Sequence, residues 1–127
     1  GIKNSVDDRY ENIFTLYYLR GLLEHRAGNI DAAYGDYEKA LKLLDHILSC
    51  EPIHLFAISS YLQILFSMQD KDRAASFIAA ISEKHPQYEE YLWEMYQGTD
   101  EHFSVEKVID SLTTIPQDPK SLTDRHQ

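Results

Sequence analysis

The chain has 127 residues, 43% of them apolar, and a formal net charge of −9. That length suits one domain with a single core, and no apolar run approaches the ~20 residues of a membrane span. An acidic surface repels phosphate backbones and so disfavours direct nucleic-acid binding. It leaves two readings open: a basic peptide or protein partner, or charge that serves only solubility. Five Gly and four Pro are few, and no stretch alternates apolar and polar residues for long, so the expectation is α-helix throughout. No signal peptide is visible. The chain opens at Gly1 without a Met, as an excised fragment with a cleavage scar would. The lone Cys50 allows no internal disulfide and fits a reducing, cytoplasmic or nuclear compartment. Its expected place is a buried or half-buried one near a helix end.

Residues 1–7 read as a flexible start, with Ser5 and Asp8 resembling a capping box. A first helix runs to about Ala27, and Ile13, Phe14, Leu16, Tyr17, Leu19, Leu22 and Leu23 make it apolar over most of its circumference. Such a helix packs on more than one neighbour. Gly28-Asn29 ends it, since both residues tolerate positive φ. The second helix starts near Ile30-Asp31 and reaches Leu48 or Ser49, with Pro52 as an early residue of a third helix that runs to Met68. Gln69-Asp70 closes the third helix. The fourth, Asp72 to Lys84, ends at His85-Pro86. A short helix follows over Tyr88 to Gln97, with Tyr88, Tyr91, Leu92 and Met95 on its core face. Gly98-Thr99-Asp100 reads as a turn, and Ser104 as the cap of a last helix to about Leu112. Residues 116–127 form a polar tail with Pro116 and Pro119, expected to be disordered.

The segment YYLRGLLEHRAGNIDAAYGDYEKAL, residues 17–41, places small residues where two antiparallel helices must approach closely. Gly21 lies in the first helix, and Ala33 and Ala40 share a face of the second with Tyr37 between them. This resembles a tetratricopeptide repeat (TPR). Tyr17, Gly21, Ala33 and Tyr37 match that family's pattern, whereas Arg20, Glu24 and Asp45 stand where it has Leu, an aromatic and Pro. QDKDRAASFIAAI repeats the logic of GNIDAAYGDYEKA, with Gln69-Asp70 for Gly28-Asn29 and Ala74 for Ala33. The interval from Ala33 to Ala74 is 41 residues, against about 34 in a standard repeat. The excess fits about two more turns in the helix ending near Cys50. The resemblance covers residues 10–97, with 98–115 as a capping helix. It implies an all-α domain over residues 8–115, a right-handed superhelix of about three helical hairpins.

The resemblance also implies a site. In the family, the first helix of each pair lines a concave groove. That places Thr15, Tyr18, Leu22 and His25, then Phe56, Ser59, Gln63 and Phe66, on a partner-binding surface. Such a groove takes an extended segment or a helix with apolar anchors. The alternative is that another helix of the chain covers those residues. The carboxylate clamp of some family members needs Lys and Asn, but Tyr18 and Leu22 stand at those places, and Ser59, Ser60 and Gln63 supply no cation. Trp93 and Tyr96 form a secondary aromatic patch, either packed on the last helix or offered to a partner.

Nothing in the chain reads as an enzyme. The histidines 25, 46, 54, 85, 102 and 126 show no HExxH and no Cys/His cluster, so no metal or cofactor is expected. Cys50 and His54 are close in sequence but carry no nucleophile signature. Asp7-Asp8 and Glu89-Glu90 read as solvated helix-start charges. The expected function is a protein–protein adaptor for a peptide or helix of a partner, expected to be basic given the net charge. Two alternatives stand beside it. One is a homodimer through the apolar surface of residues 13–23 and the Trp93 patch; the other is a regulatory TPR-like domain of a larger protein, such as a transcription activator.

Overall fold

A computed structural model describes residues 2–114, with side chains from residue 12 onward. Among these residues the chain is all-helical: α1 (Ile2–Arg26), α2 (Ile30–Cys50), α3 (Leu55–Ser67), α4 (Lys71–Lys84), α5 (Glu89–His102) and α6 (Val105–Thr113). A 3₁₀ turn, Pro86–Tyr88, leads into α5. No helix among the described residues is long and apolar enough to cross a membrane. The tail expected over 116–127 lies outside the described residues, as do the side chains of Ser5 and Asp8; the backbone of α1 is helical from Ile2.

α1 and α2 form the tightest pair, and Gly21 is the reason. A Cβ built there would sit 2.7 Å from two ring carbons of Tyr37 and 3.1 Å from the Ala33 carbonyl oxygen. Only a residue with no side chain lets α1 approach the buried Tyr37 ring so closely. Ala33 and Ala40, both fully buried, keep the facing surface of α2 low. α2 has 21 residues and α4 has 14, so the long interval between the repeated segments does sit in α2.

The two hairpin turns close alike. Gly28 has φ +92°, its N–H donates to the His25 carbonyl at 3.0 Å, and the Asn29 N–H donates to the Glu24 carbonyl at 2.8 Å. Gln69 has φ +57°, its N–H donates to the Phe66 carbonyl at 3.0 Å, and the Asp70 N–H donates to the Leu65 carbonyl at 3.0 Å. Each pair of bonds is a Schellman closure that satisfies the last carbonyls of a helix. Asp70 then caps α4, its Oδ1 accepting from the Arg73 N–H at 3.1 Å.

Two boundaries and one burial differ from the sequence reading. Pro52 lies in the turn before α3, whose N-cap is His54; its Nδ1 accepts from the Ala57 N–H at 3.2 Å. α5 does not stop at Gly98-Thr99-Asp100 but runs through it to His102, and the Thr99 hydroxyl folds back onto the Met95 carbonyl at 2.9 Å. One Gly inside a helix costs only about 1 kcal/mol, which packing of α5 on α3 and α4 offsets. Cys50 is exposed rather than buried, because it is the last residue of α2 and points past the packed faces. Ser104 caps α6 as expected, accepting from the Lys107 N–H at 3.4 Å.

The core runs through all six helices. Tyr34 on α2 donates to the Met68 carbonyl at 2.9 Å, and Arg73 on α4 grips Glu38 on α2 at 2.9 and 3.2 Å. Lys71 on α4 pairs with Asp100 on α5 at 2.7 Å. α6 returns to α1, where Arg26 and Glu106 stand 3.5 Å apart.

Candidate interaction surface

The residues expected to line a groove separate into buried and accessible groups. Tyr18, Leu22 and Phe66 are buried, so the structure corrects the expectation that they face a partner. Tyr18 turns inward to α3. The Ser67 hydroxyl donates to the Gln63 carbonyl at 2.9 Å, so the Tyr18 hydroxyl donates to Ser67 Oγ, at 2.8 Å. Burial pushes the Tyr18 phenol well above its ordinary pKa, against a smaller opposing effect of the Ser67 bond. Phe66 is covered by the corner between α5 and α6: its ring lies 5.6 Å from Tyr96 and 6.1 Å from Phe103. The corner of α5 and α6 thus covers Phe66, while Tyr18 is enclosed against α3.

The remaining expected residues are spread out. His25 is half-buried, with Nδ1 3.0 Å from the Tyr37 hydroxyl, and it edges a cleft of about 570 Å³ beside Phe66, Asp72 and Val105. Thr15 and Ser59 are half-buried. Gln63 is half-buried in a different cleft, of about 440 Å³, with Met95, His102 and Lys107. Phe56 is 52% exposed and rests one ring edge near Phe14, at 5.9 Å. Among the described residues, the clefts that His25 and Gln63 line are separate.

Trp93 is half-buried and meets Tyr96 edge-on at 5.4 Å, while Tyr96 in turn backs onto Phe66. Tyr88 and Tyr91, expected in the core, are exposed. The helix start places them on the outer side, and only Leu92 of that face is fully enclosed. Among the described residues no three His, Cys, Asp or Glu side chains converge to hold a metal.

Among the described residues, an accessible apolar stripe instead lies along the outer face of α1. Ile13 is 37%, Leu16 67% and Leu23 39% exposed. With Tyr17, Leu19 and Arg20 they line a shallow concavity of about 520 Å³. These positions follow i, i+3, i+10 along one helix, so they form a stripe three turns long. Sequence patterning found this surface, since α1 is apolar almost all round and α2 covers only one side of it.

The edge of the stripe is built from charges, among them Arg20, which stands where the family pattern has Leu. Arg20 grips Asp36 of α2 with two bonds, Nε to Oδ2 at 2.8 Å and Nη2 to Oδ1 at 2.7 Å. The Asp36 side chain is 7% exposed and the Arg20 side chain 60%, so the carboxylate is hidden beneath the guanidinium. Hydrogen bonds from Arg20 hold the Asp36 carboxyl below the usual carboxylate range. Tyr17 lies beside two cations: Arg20 is 5.5 Å from its ring centre and the Lys39 ammonium 5.6 Å. The only sequence signal for this cluster was Arg20 in an apolar helix, sixteen residues before an Asp in the facing one.

No protein-family model, no curated protein and no solved structure matches the chain.

Proposed function

We propose that this chain is a protein-association module of the helical-repeat kind, a TPR-like right-handed superhelix, and that it binds a helix or peptide of a partner protein. Support for the repeat reading comes from Gly21 against Tyr37 and Ala33, and from two hairpins closed by the same turn 41 residues apart. The contact surface is the outer face of α1 rather than the concave groove. The observation that carries this is the exposure of Ile13, Leu16 and Leu23 in one stripe, while Tyr18, Leu22 and Phe66 are enclosed. An apolar stripe on a single helix, bordered by polar groups, is the surface an amphipathic partner covers.

Replacing Leu16 and Leu23 together by Ser tests the reading. Both side chains point outward, so the circular dichroism spectrum is expected to be unchanged. A partner isolated with the wild-type chain is expected to be lost from the double variant. A partner retained by that variant but lost from Phe56→Ser would return the site to the groove edge. A partner retained by both would remove these surfaces from the function.

A further inference from the structure

The net charge of −9 favours a basic partner when the molecule is viewed from afar, yet among the described residues the exposed charges beside the Tyr17 ring on the α1 stripe are cations. Lys39 is exposed beside Tyr17, Arg20 is 60% exposed beside the same ring, and Lys42 is exposed one turn further along α2. Two carboxylates lie near Arg20 among the described residues. Asp36 is hidden and bound by both oxygens to Arg20. Glu24 is half-buried at the hairpin end, where its Oε2 accepts from the Asn29 side chain at 2.9 Å. Among the described residues, what a partner meets at the rim is therefore an apolar strip flanked by the Lys39 ammonium and by the outer face of the Arg20–Asp36 pair, with half-buried Glu24 at the hairpin end.

We propose that the α1 face docks an amphipathic helix whose apolar stripe is flanked by Asp or Glu, the carboxylates reaching Lys39 and Arg20 while its apolar anchors cover Ile13, Leu16 and Leu23. The inference rests on the assignment of the α1 outer face as the association surface. The geometry suits a helix: Ile13 to Leu23 spans about 15 Å at 1.5 Å per residue, nearly three turns, which takes partner anchors at i, i+3 or i+4, i+7 and i+10 or i+11. Charge also argues against a second copy of this chain as the occupant. Two-fold pairing of the face brings two Lys39 ammoniums together, and each Asp36 carboxylate is already held through both oxygens by its own Arg20, so neither is free to pair with the other copy's Lys39. A partner with flanking carboxylates gains charge-assisted contacts where a like-charged one is repelled.

The test uses the full chain and two synthetic amphipathic peptides of about 18 residues, long enough to be helical when docked. They share a leucine stripe and differ only in carrying Glu or Lys beside it. Binding is read by fluorescence anisotropy at low and moderate salt. The Glu peptide is expected to bind about tenfold more tightly than the Lys peptide, with the gap narrowing as salt screens it. Lys39→Glu is expected to close or reverse that gap, and Leu16→Ser to weaken both peptides, with amide shifts in a heteronuclear spectrum confined to residues around Ile13, Leu16 and Leu23. Equal or tighter binding of the Lys peptide overturns the proposal, as does a preference that survives Lys39→Glu. Binding of neither peptide overturns the helix partner, and a dimer in sedimentation that Leu16→Ser dissociates would identify a second copy instead. In that last case the α1 face remains the association surface, whereas a monomer that binds neither peptide removes support from both.

Discussion

The first two hairpins share a turn, an alanine and a register, and they pack in different ways. Positions 41 apart correspond: Gly21 with Leu62, Ala33 with Ala74, Tyr37 with Ile78. All six are buried. In α1–α2 the space between axes is closed by having no side chain at 21 and a ring at 37. In α3–α4 it is filled by Leu62 and Ile78. The edge contact differs just as clearly. Arg20 and Asp36 make a bidentate ion pair in the first hairpin, and the corresponding residues in the second, Tyr61 and Phe77, stack face to face at 4.1 Å and 7°. One backbone plan thus accepts an ion pair or a ring stack at the same place. What it requires is a pair of side chains long enough to bridge two helices at their solvent edge.

The largest effect is expected from Leu62→Ala. The side chain is fully buried among Ile58, Leu65 and Ile78, and truncation should cost about 2–5 kcal/mol in urea unfolding. Its counterpart is the reverse change. Gly21→Ala adds a methyl group where the Tyr37 ring already stands, and overpacking of that kind costs about 1–3 kcal/mol by the same measurement. If Gly21→Ala proves neutral, the close approach is not what distinguishes the hairpins.

The turns offer a finer comparison. Gly28→Ala is expected to lower stability by about 1 kcal/mol, because a Cβ is strained at φ +92°. Gln69→Gly should raise it by somewhat less than 1 kcal/mol, since relief of the strained φ of +57° is partly offset by the greater freedom of unfolded Gly. Thermal melts of the two variants should move in opposite directions.

The smallest effect separates the edge contacts by pH. The Asp36 carboxyl titrates below its unfolded value, so its stabilisation is fully present above the carboxylate range and fades as pH falls through the lowered folded value. Asp36→Asn should therefore melt below the wild type near neutrality, with the difference shrinking in acid. The Tyr61–Phe77 contact responds at the other end. Burial pushes the Tyr61 phenol up to about 12, so its stabilisation is present below pH ~10 and is lost as pH rises toward 12. Tyr61→Phe should reduce the alkaline loss.

Hairpin placement was legible because it depends on local chemistry: Gly28-Asn29, Gln69-Asp70 and the alanines that follow each turn mark where helices stop and where they touch. The apolar face of α1 was legible for the same reason, since helical periodicity alone shows more apolar surface than one neighbour covers. The helical run through Gly98 was not, because a lone Gly is a weak stop signal that tertiary packing overrides. The groove was misplaced on a larger scale. Residues 15–25 and 56–66 carry no mark that distinguishes a face covered by a partner from one covered by the corner of α5 and α6. Both demands select the same apolar and aromatic residues. Sequence by itself determined the first four helices and the two turns at Gly28-Asn29 and Gln69-Asp70, which arise from neighbours along the chain. Only the tertiary structure decided that Phe103 and Tyr96 lie over Phe66, that Arg20 hides Asp36, and that Lys39 stands beside the Tyr17 ring. Burial and local field are sums over residues brought together from distant positions, and no single segment contains them.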